Sequence, residues 1–174
     1  MNAVRVLGRV EIPPHLTQNL AAIRLARSDA FSEKGVIEVH HYAEHNPKLP
    51  ADAAWQLDAD KAEFGRGVLN CLGLSNNYMH DAALMGYANL ALHIDEGFWV
   101  DGEYVAFLHV VLSGSGTLRI PAALEPAEQI TQLSAGMVFI LNPEHEHAFD
   151  DCPDMLFSLS MVVPRSVIAK LPLL

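Results

Sequence analysis

Residues 104–120 read YVAFLHVVLSGSGTLRI, which is two apolar runs separated by a short stretch of serine and glycine. Valine, phenylalanine, leucine and isoleucine in runs of this length, bounded by turn residues, predict strands over Tyr104–Leu112 and Thr117–Ile120. Segments of the same kind lie on either side, and we expect further strands at Leu84–Ile94, Gly136–Leu141 and Met155–Val163. Several short strands at close spacing favour an antiparallel sandwich or barrel.

The first half of the chain has a different sequence pattern, in which short strand-like segments alternate with stretches of helical periodicity. We expect one strand at Val4–Ile12, interrupted at Gly8, and another at Val36–Val39. Apolar residues recur at helical spacing over Leu16–Phe31, and acidic residues near the start of Asp58–Leu69 favour a second helix there. This half should therefore supply helices that pack on the predicted strands.

Length and composition favour one globular domain. With 174 residues, of which 51% are hydrophobic and 18% charged, the chain can bury a substantial core and lacks the composition of a disordered protein. The sequence shows neither a linker nor an internal repeat. It predicts a mainly β (α+β) domain, 1–174, in which a helical and strand-containing N-terminal part, 1–80, packs on a β core, 81–165.

Charge and hydropathy exclude several classes of partner. The chain has 11 Lys and Arg against 21 Asp and Glu, a net charge of −10, so we expect no nucleic-acid partner. No apolar run approaches the roughly 18 residues of a membrane helix, and the N-terminus does not resemble a secretory signal. We expect a cytoplasmic protein with no membrane partner. Cys71 and Cys152 form no Cys-x-x-Cys motif, which favours two reduced thiols.

Two short motifs carry metal-binding chemistry. His93-Ile94-Asp95 lies near a predicted strand end, and side chains two apart on a strand point to the same face. A second pair, His145 and His147, follows the strand that ends at Leu141. Two histidines and one carboxylate on one face of a metal ion form the ligand set of non-haem Fe(II) oxygenases. The alternative for His93 is a half-buried histidine without a metal.

The order of these segments extends the comparison to a family. It runs through a His-x-Asp motif, an apolar strand containing a histidine, a glycine-rich turn, a strand opened by glycine, and a last histidine: Ala91–Glu96, Phe107–Leu112, Ser113–Gly116, Leu133–Asn142 and His147–Phe149. This order resembles the cupin and 2-oxoglutarate/Fe(II) oxygenase superfamily, and most of all its aspartyl/asparaginyl β-hydroxylase type. The resemblance covers Leu84–Pro164. It implies a double-stranded β-helix, a cupin-like jelly roll, with Fe(II) and 2-oxoglutarate as cofactors.

Position by position, the resemblance makes His93, Asp95 and His147 the catalytic iron ligands. His147 follows the strand-opening Gly136 by about the family's distance, which leaves His145 as a rim residue, although the two histidines could exchange roles. His109 falls where the hydroxylase type has a histidine that contacts the cosubstrate carboxylate. Its alternative is a histidine packed in the core.

One feature departs from the family. The strand after the last histidine normally has an arginine that binds the far carboxylate of 2-oxoglutarate, and here it offers only the hydroxyls of Ser158 and Ser160. Arg119 and Arg165 are the candidates to replace that arginine, together with His109. A cupin-type metalloprotein without 2-oxoglutarate, acting as an isomerase or a direct dioxygenase, therefore stays open, as does a non-catalytic binding or sensing barrel.

The expected substrate is a small molecule or an amino-acid side chain. Its identity depends on loops that the sequence does not place. A homodimer is compatible with everything above and is left open.

Overall fold

The computed structural model describes residues 2–18, 20, 36–42, 59–79, 82–95, 99–100, 102–122, 127–168 and 170–174. Eleven strands fall within these ranges: β1 Val4–Arg9, β2 Val36–Tyr42, β3 Ala82–Tyr87, β4 Leu90–His93, β5 Trp99–Val100, β6 Glu103–Ser113, β7 Ser115–Ile120, β8 Gln129–Ser134, β9 Met137–Leu141, β10 His147–Asp150 and β11 Leu156–Pro164. The α-helices described are α1, Ala59–Cys71, and α2, Arg165–Ile168, and 3-10 helices span Pro14–Thr17 and Asn76–Met79.

The described strands form two antiparallel sheets. The larger sheet has the strand order β1-β9-β6-β11-β3-β2, with β5 paired to β6, and the smaller sheet has the order β4-β10-β7-β8. Apolar side chains from both sheets meet in one buried cluster, in which Tyr87, Val111 and Phe139 of the larger sheet join Leu118 and Phe149 of the smaller. Two antiparallel sheets packed in this way form the predicted double-stranded β-helix.

The larger sheet is buried on its other face as well. Leu108 and Val110 of β6 point away from the smaller sheet and join a second cluster with Ala62 and Leu69 of α1. The helix comes close to the sheet at Gly65, where an added Cβ would lie 2.9 Å from Cδ2 of Leu159 in β11. Burial on both faces explains why β6 has an almost continuous apolar sequence instead of an alternating one.

Most of the predicted elements are present, and one is wrong. Leu84–Ile94 is not a single strand: the chain leaves the larger sheet after β3 and enters the smaller sheet as β4. At the crossing, the Asn89 side-chain oxygen accepts a hydrogen bond from the Cys152 backbone N–H at 3.3 Å. The pattern did not predict β8 or β10. The predicted helix Leu16–Phe31 lies largely outside the described residues.

Among the described residues, no helix is long and apolar enough to cross a membrane.

Gly136 joins three strands and should be sensitive to substitution. Its N–H donates to Val111 O at 2.8 Å and its carbonyl accepts from Val10 N at 2.8 Å. With φ at +87°, an added Cβ would lie 2.5 Å from Val10 O. Because Gly136→Ala combines a left-handed backbone with a steric clash, we expect it to lower the free energy of unfolding by about 2–4 kcal/mol and the melting temperature by roughly 5–15 °C.

The matched control for this substitution is Gly73→Ala. Gly73 also has a positive φ, +70°, but an added Cβ there would meet no other atom within 4 Å. Gly73→Ala should therefore lower the free energy of unfolding only by the cost of placing alanine in a left-handed backbone conformation, about 1–2 kcal/mol. Equal melting temperatures for the two variants would contradict the importance of the Gly136 contact with Val10.

Candidate metal centre

The pairing of β4 with β10 brings the two motifs together. His147 is the partner of His93 in the antiparallel register, and their ring centroids lie 4.2 Å apart. Asp95 follows β4 and is held by a backbone hydrogen bond from its N–H to Pro143 O at 3.1 Å. Residues distant in sequence thus become neighbours at the edge of the smaller sheet.

The three side chains form one compact group of donors. Asp95 Oδ1 lies 3.5 Å from His93 Nε2, and Asp95 Oδ2 lies 3.5 Å from His147 Nε2. One ligand atom from each residue falls within 4.8 Å of the others. The His147 side chain is only 1% exposed, whereas His93 and Asp95 are about 30% exposed. The group therefore has one buried member and two that border solvent.

Backbone carbonyls set the tautomer of both histidines. His93 Nδ1 lies 2.8 Å from Ala91 O, and His147 Nδ1 lies 2.9 Å from His145 O. A carbonyl oxygen can only accept, so each Nδ1 carries a proton, and in the neutral form of either ring Nε2 has the lone pair that a metal ion would bind. Burial lowers the pKa of His147, and the nearby His93 lowers it further, although the His145 carbonyl and Asp95 act in the opposite direction.

This donor set fits a divalent transition metal. Two imidazoles and a carboxylate converge, and each imidazole is fixed by a hydrogen bond through its other nitrogen, as metal-binding histidines usually are. The His145 imidazole is not a member of the group; its residue contributes the carbonyl that orients His147.

His109 lies inside the barrel, on the inner face of β6. It is 1% exposed, stacks on Phe139 with ring centroids 4.8 Å apart, and its Nδ1 lies 3.1 Å from Ser158 Oγ. Its Nε2 atom is buried without a hydrogen-bond partner. Burial lowers the pKa of His109 to about 3, with a further contribution from His147, so the ring is neutral at physiological pH.

A chain of aromatic contacts connects His109 with the donor group, and it begins with Tyr87, whose ring centroid lies 6.4 Å from that of His109. Tyr87 stacks on Phe149 with centroids 4.0 Å apart, and Phe149 meets the His147 ring edge-on at 6.1 Å. Burial, and secondly the charge of Asp95, raises the pKa of the Tyr87 hydroxyl. No sequence pattern pointed to Tyr87, because it reads as an ordinary strand residue.

The structure does not bring Arg119 to the donor group. Arg119 is opposite Ala148 in the register, whereas His147 and Phe149 on either side of Ala148 point to the other face of the sheet. On the outer face, Arg119 Nε donates to Asp150 Oδ2 at 2.7 Å. The Arg119 guanidinium is therefore paired with Asp150 on the face of the sheet that points away from the barrel interior.

Arg165 is engaged with the loop before His147. Its Nη2 donates to Glu144 Oε2 at 2.7 Å and to Asn142 Oδ1. Among the described residues, Lys61 of α1 is the only buried lysine or arginine, and α1 packs on the far face of the larger sheet. Of the three candidates for the cosubstrate carboxylate, His109 is the one inside the barrel.

No protein-family model matches this sequence, and no curated protein matches it. Solved structures similar to the chain include a Pseudomonas putida prolyl-4-hydroxylase, with a TM-score of 0.48 and 17% identity over 95% of this chain and 94% of that one. A prolyl hydroxylase from Trichoplax adhaerens has a TM-score of 0.49 at 11% identity, covering 97% and 87% of the two chains. A cupin protein from Bacteroides fragilis has a TM-score of 0.32 at 16% identity, covering 56% and 74%.

The buried histidines predict an acid-sensitive fold. In the unfolded chain, His109 takes up a proton as the pH falls below about 6.5. In the folded protein its pKa is lowered, and it takes up that proton only near pH 3. Stability is therefore complete above pH 6.5 and falls as the pH drops, by about 1.4 kcal/mol per pH unit for this residue. His147, whose pKa is also lowered, adds to the slope.

Urea unfolding of the metal-free protein between about pH 4 and 7 measures this slope. His109→Gln retains a polar group next to Ser158 and removes the titration, so its slope should be shallower by the contribution of one proton. An unchanged slope in this variant would show that His109 does not account for the acid sensitivity.

Proposed function

We propose that the protein is a non-haem Fe(II)-dependent and 2-oxoglutarate-dependent oxygenase of the aspartyl/asparaginyl hydroxylase type, which hydroxylates a small molecule or an amino-acid side chain. The observation that carries the proposal is the convergence of His93, Asp95 and His147 at the edge of the smaller sheet of a double-stranded β-helix. Bound iron would supply the activation of O₂, which the side chains cannot perform themselves.

The side chains of this protein perform the supporting tasks. His93 and His147 would hold the metal with neutral Nε2 atoms, and Asp95 would contribute one negative charge to offset its positive charge. Tyr87, Phe149 and Phe139 line the interior with aromatic surface and exclude water from that side. His109 Nε2 is the unpartnered polar atom in this interior that a cosubstrate could contact.

A coupled assay tests the proposal. Protein prepared without chelator and loaded anaerobically with Fe(II) should convert 2-oxoglutarate and O₂ to succinate and CO₂, slowly without substrate and faster with one. In the complete reaction, one oxygen atom enters succinate and the other enters the hydroxyl group of the product. Fe(II) binding without any succinate formation, across a panel of amino acids and small metabolites, would contradict the 2-oxoglutarate part of the proposal.

A second candidate is a cupin-type metalloprotein that does not use 2-oxoglutarate, either an isomerase or a direct dioxygenase. The supporting observation is that the described barrel interior presents His109, Ser158 and Ser160 as its buried polar groups on the larger sheet, with no lysine or arginine among them. A buried carboxylate without a cation is costly. Stoichiometric metal binding with no succinate favours this candidate, and the absence of metal binding favours a non-catalytic binding or sensing barrel.

A further inference from the structure

The loop between β9 and β10 makes hydrogen bonds to two of the three donor residues, Asp95 and His147. This loop, residues 142–146, follows Leu141 and precedes His147. Its Pro143 carbonyl accepts the backbone N–H of Asp95 at 3.1 Å, and its His145 carbonyl accepts Nδ1 of His147 at 2.9 Å. The position of Asp95 and the orientation of the His147 ring therefore depend on where this loop places its carbonyls.

The guanidinium of Arg165 holds the same loop from the side. One nitrogen, Nη2, donates both to Asn142 Oδ1 and to Glu144 Oε2, the residues on either side of Pro143. Asn142 Oδ1 also accepts the backbone N–H of Glu144 at 3.3 Å, which closes the turn. The Arg165 side chain is 25% exposed and that of Glu144 is 36% exposed, so solvent screens this pair in part.

Contacts with the larger sheet hold the segment that contains Arg165. It begins α2, directly after β11, and its Cζ lies 5.1 Å from the centroid of the Tyr104 ring. Arg5 of β1 ties α2 and the following turn to the sheet, because its guanidinium donates to Ile168 O at 3.2 Å and to Leu171 O at 2.9 Å. The Arg165 side chain, called the clamp below, thus connects the loop to the buried strand β11 and, through α2, to β1 at the edge of the larger sheet.

We propose that Arg165 is a positioning residue for the metal centre. It fixes the loop so that the carbonyls of Pro143 and His145 hold Asp95 and His147 in a geometry ready for the ion. This inference rests on the proposed metal site and assigns Arg165 a role that does not require contact with metal, cosubstrate or substrate.

The size of the effect follows from what remains after Arg165 is removed. All three donors stay in the chain, so binding is weakened and not abolished. Residues that orient metal ligands typically change metal affinity by about 10–100-fold when they are lost. We expect Arg165→Ala to raise the Kd for Mn(II), a redox-stable probe, by that factor.

Arg119→Ala is the matched control. It removes another arginine–carboxylate pair with the same 2.7 Å N–O distance, on the outer face of the sheet that contains His147. Both variants should lower the melting temperature of the metal-free protein to a similar small extent, because partly exposed ion pairs contribute about 1 kcal/mol or less. Only Arg165→Ala should weaken Mn(II) binding, measured by the EPR signal of the free ion.

Arg165→Lys tests for rescue. Since one nitrogen makes both hydrogen bonds, a lysine ammonium can replace part of the clamp, and its Kd should fall between those of the wild type and Arg165→Ala. Glu144→Gln keeps the fold but removes the charge that Arg165 meets. It should weaken Mn(II) binding severalfold, and it provides the test if Arg165→Ala does not fold.

The outcomes separate the two proposals. If the wild type binds Mn(II) and His147→Ala does not, the proposed metal site is supported. If Arg165→Ala and Glu144→Gln then bind Mn(II) with wild-type affinity, only the positioning role of Arg165 is contradicted. If the wild type binds no Mn(II), the metal site fails, and the clamp fails with it. Equal weakening by Arg119→Ala and Arg165→Ala would also overturn the clamp, because it would indicate a general effect of lost stability.

Discussion

Replacing His147 with alanine is expected to reduce Fe(II) affinity by more than about 100-fold and to bring succinate formation below detection. Loss of a residue that merely orients a ligand costs about 10–100-fold in metal affinity, and loss of the ligand itself costs more. His147 is also the most buried of the three donors, so water fills its place poorly. Anaerobic Fe(II) titration measures the affinity, and the 2-oxoglutarate assay measures the activity.

His145→Ala is the control, because it removes an imidazole two residues away and keeps the carbonyl that orients His147. We expect its Fe(II) affinity to stay within a few-fold of the wild type. The sequence left both histidines open as ligands, and this pair of variants decides between them. A loss in His145→Ala as large as that in His147→Ala would assign the ligand role to His145.

The longer apolar strands were predictable because each carries its own local signal. Tyr104–Leu112 is apolar except for His109, since β6 is buried on both faces, and the observed strand, Glu103–Ser113, extends the prediction by one residue at each end. The strand before the metal loop was predicted equally well, at Gly136–Leu141 against an observed Met137–Leu141. These signals are local, so a single sequence contains them.

The pairing of strands was harder, because it depends on contacts between distant residues. The run Leu84–Ile94 gives no sign that its two halves belong to different sheets, since both halves are apolar. The crossing nevertheless decides the site: β4 can pair with β10, and so place His93 opposite His147, only because it has left β3. The short β10, His147–Asp150, was missed because four residues carry little periodicity.

The candidate site was predictable in its donors and not in what holds them. The same-face rule relates His93 to Asp95, and the resemblance to a known family pointed to His147. The carbonyls of Ala91, Pro143 and His145 carry no sequence signal at all, because every residue has a carbonyl. The partners of Arg119 and Arg165 depend on tertiary structure, which is why both looked like candidates for the cosubstrate.

Binding of 2-oxoglutarate is where we expect the second large effect. If its far carboxylate binds against His109, we expect the imidazole to become charged and pair with it, because the described interior offers the carboxylate no buried lysine or arginine. Free His109 is neutral, with a pKa lowered to about 3, and a bound carboxylate raises that pKa since an opposite charge favours the protonated form. We therefore expect the binding of 2-oxoglutarate to take up a proton.

Proton uptake makes the affinity depend on pH in a defined direction. The KM for 2-oxoglutarate should fall as the pH is lowered from about 8 to 6, by up to about tenfold per pH unit wherever the pH lies below the pKa of His109 in the complex and above its pKa in the free protein. An arginine site would show no such dependence, because a guanidinium is charged throughout this range. Initial rates of succinate formation at saturating Fe(II) and O₂ give the KM at each pH.

His109→Gln should remove the pH dependence and raise the KM at pH 6 by roughly 10–100-fold, as expected for a lost hydrogen bond to a buried charged group. Its Fe(II) affinity should not change, because His109 is not one of the three donors. Ser158→Ala retains the imidazole and removes only the hydroxyl next to its Nδ1, so it should alter the KM much less. A KM that responds neither to pH nor to His109→Gln would place the carboxylate on another group and leave His109 as a histidine of the core.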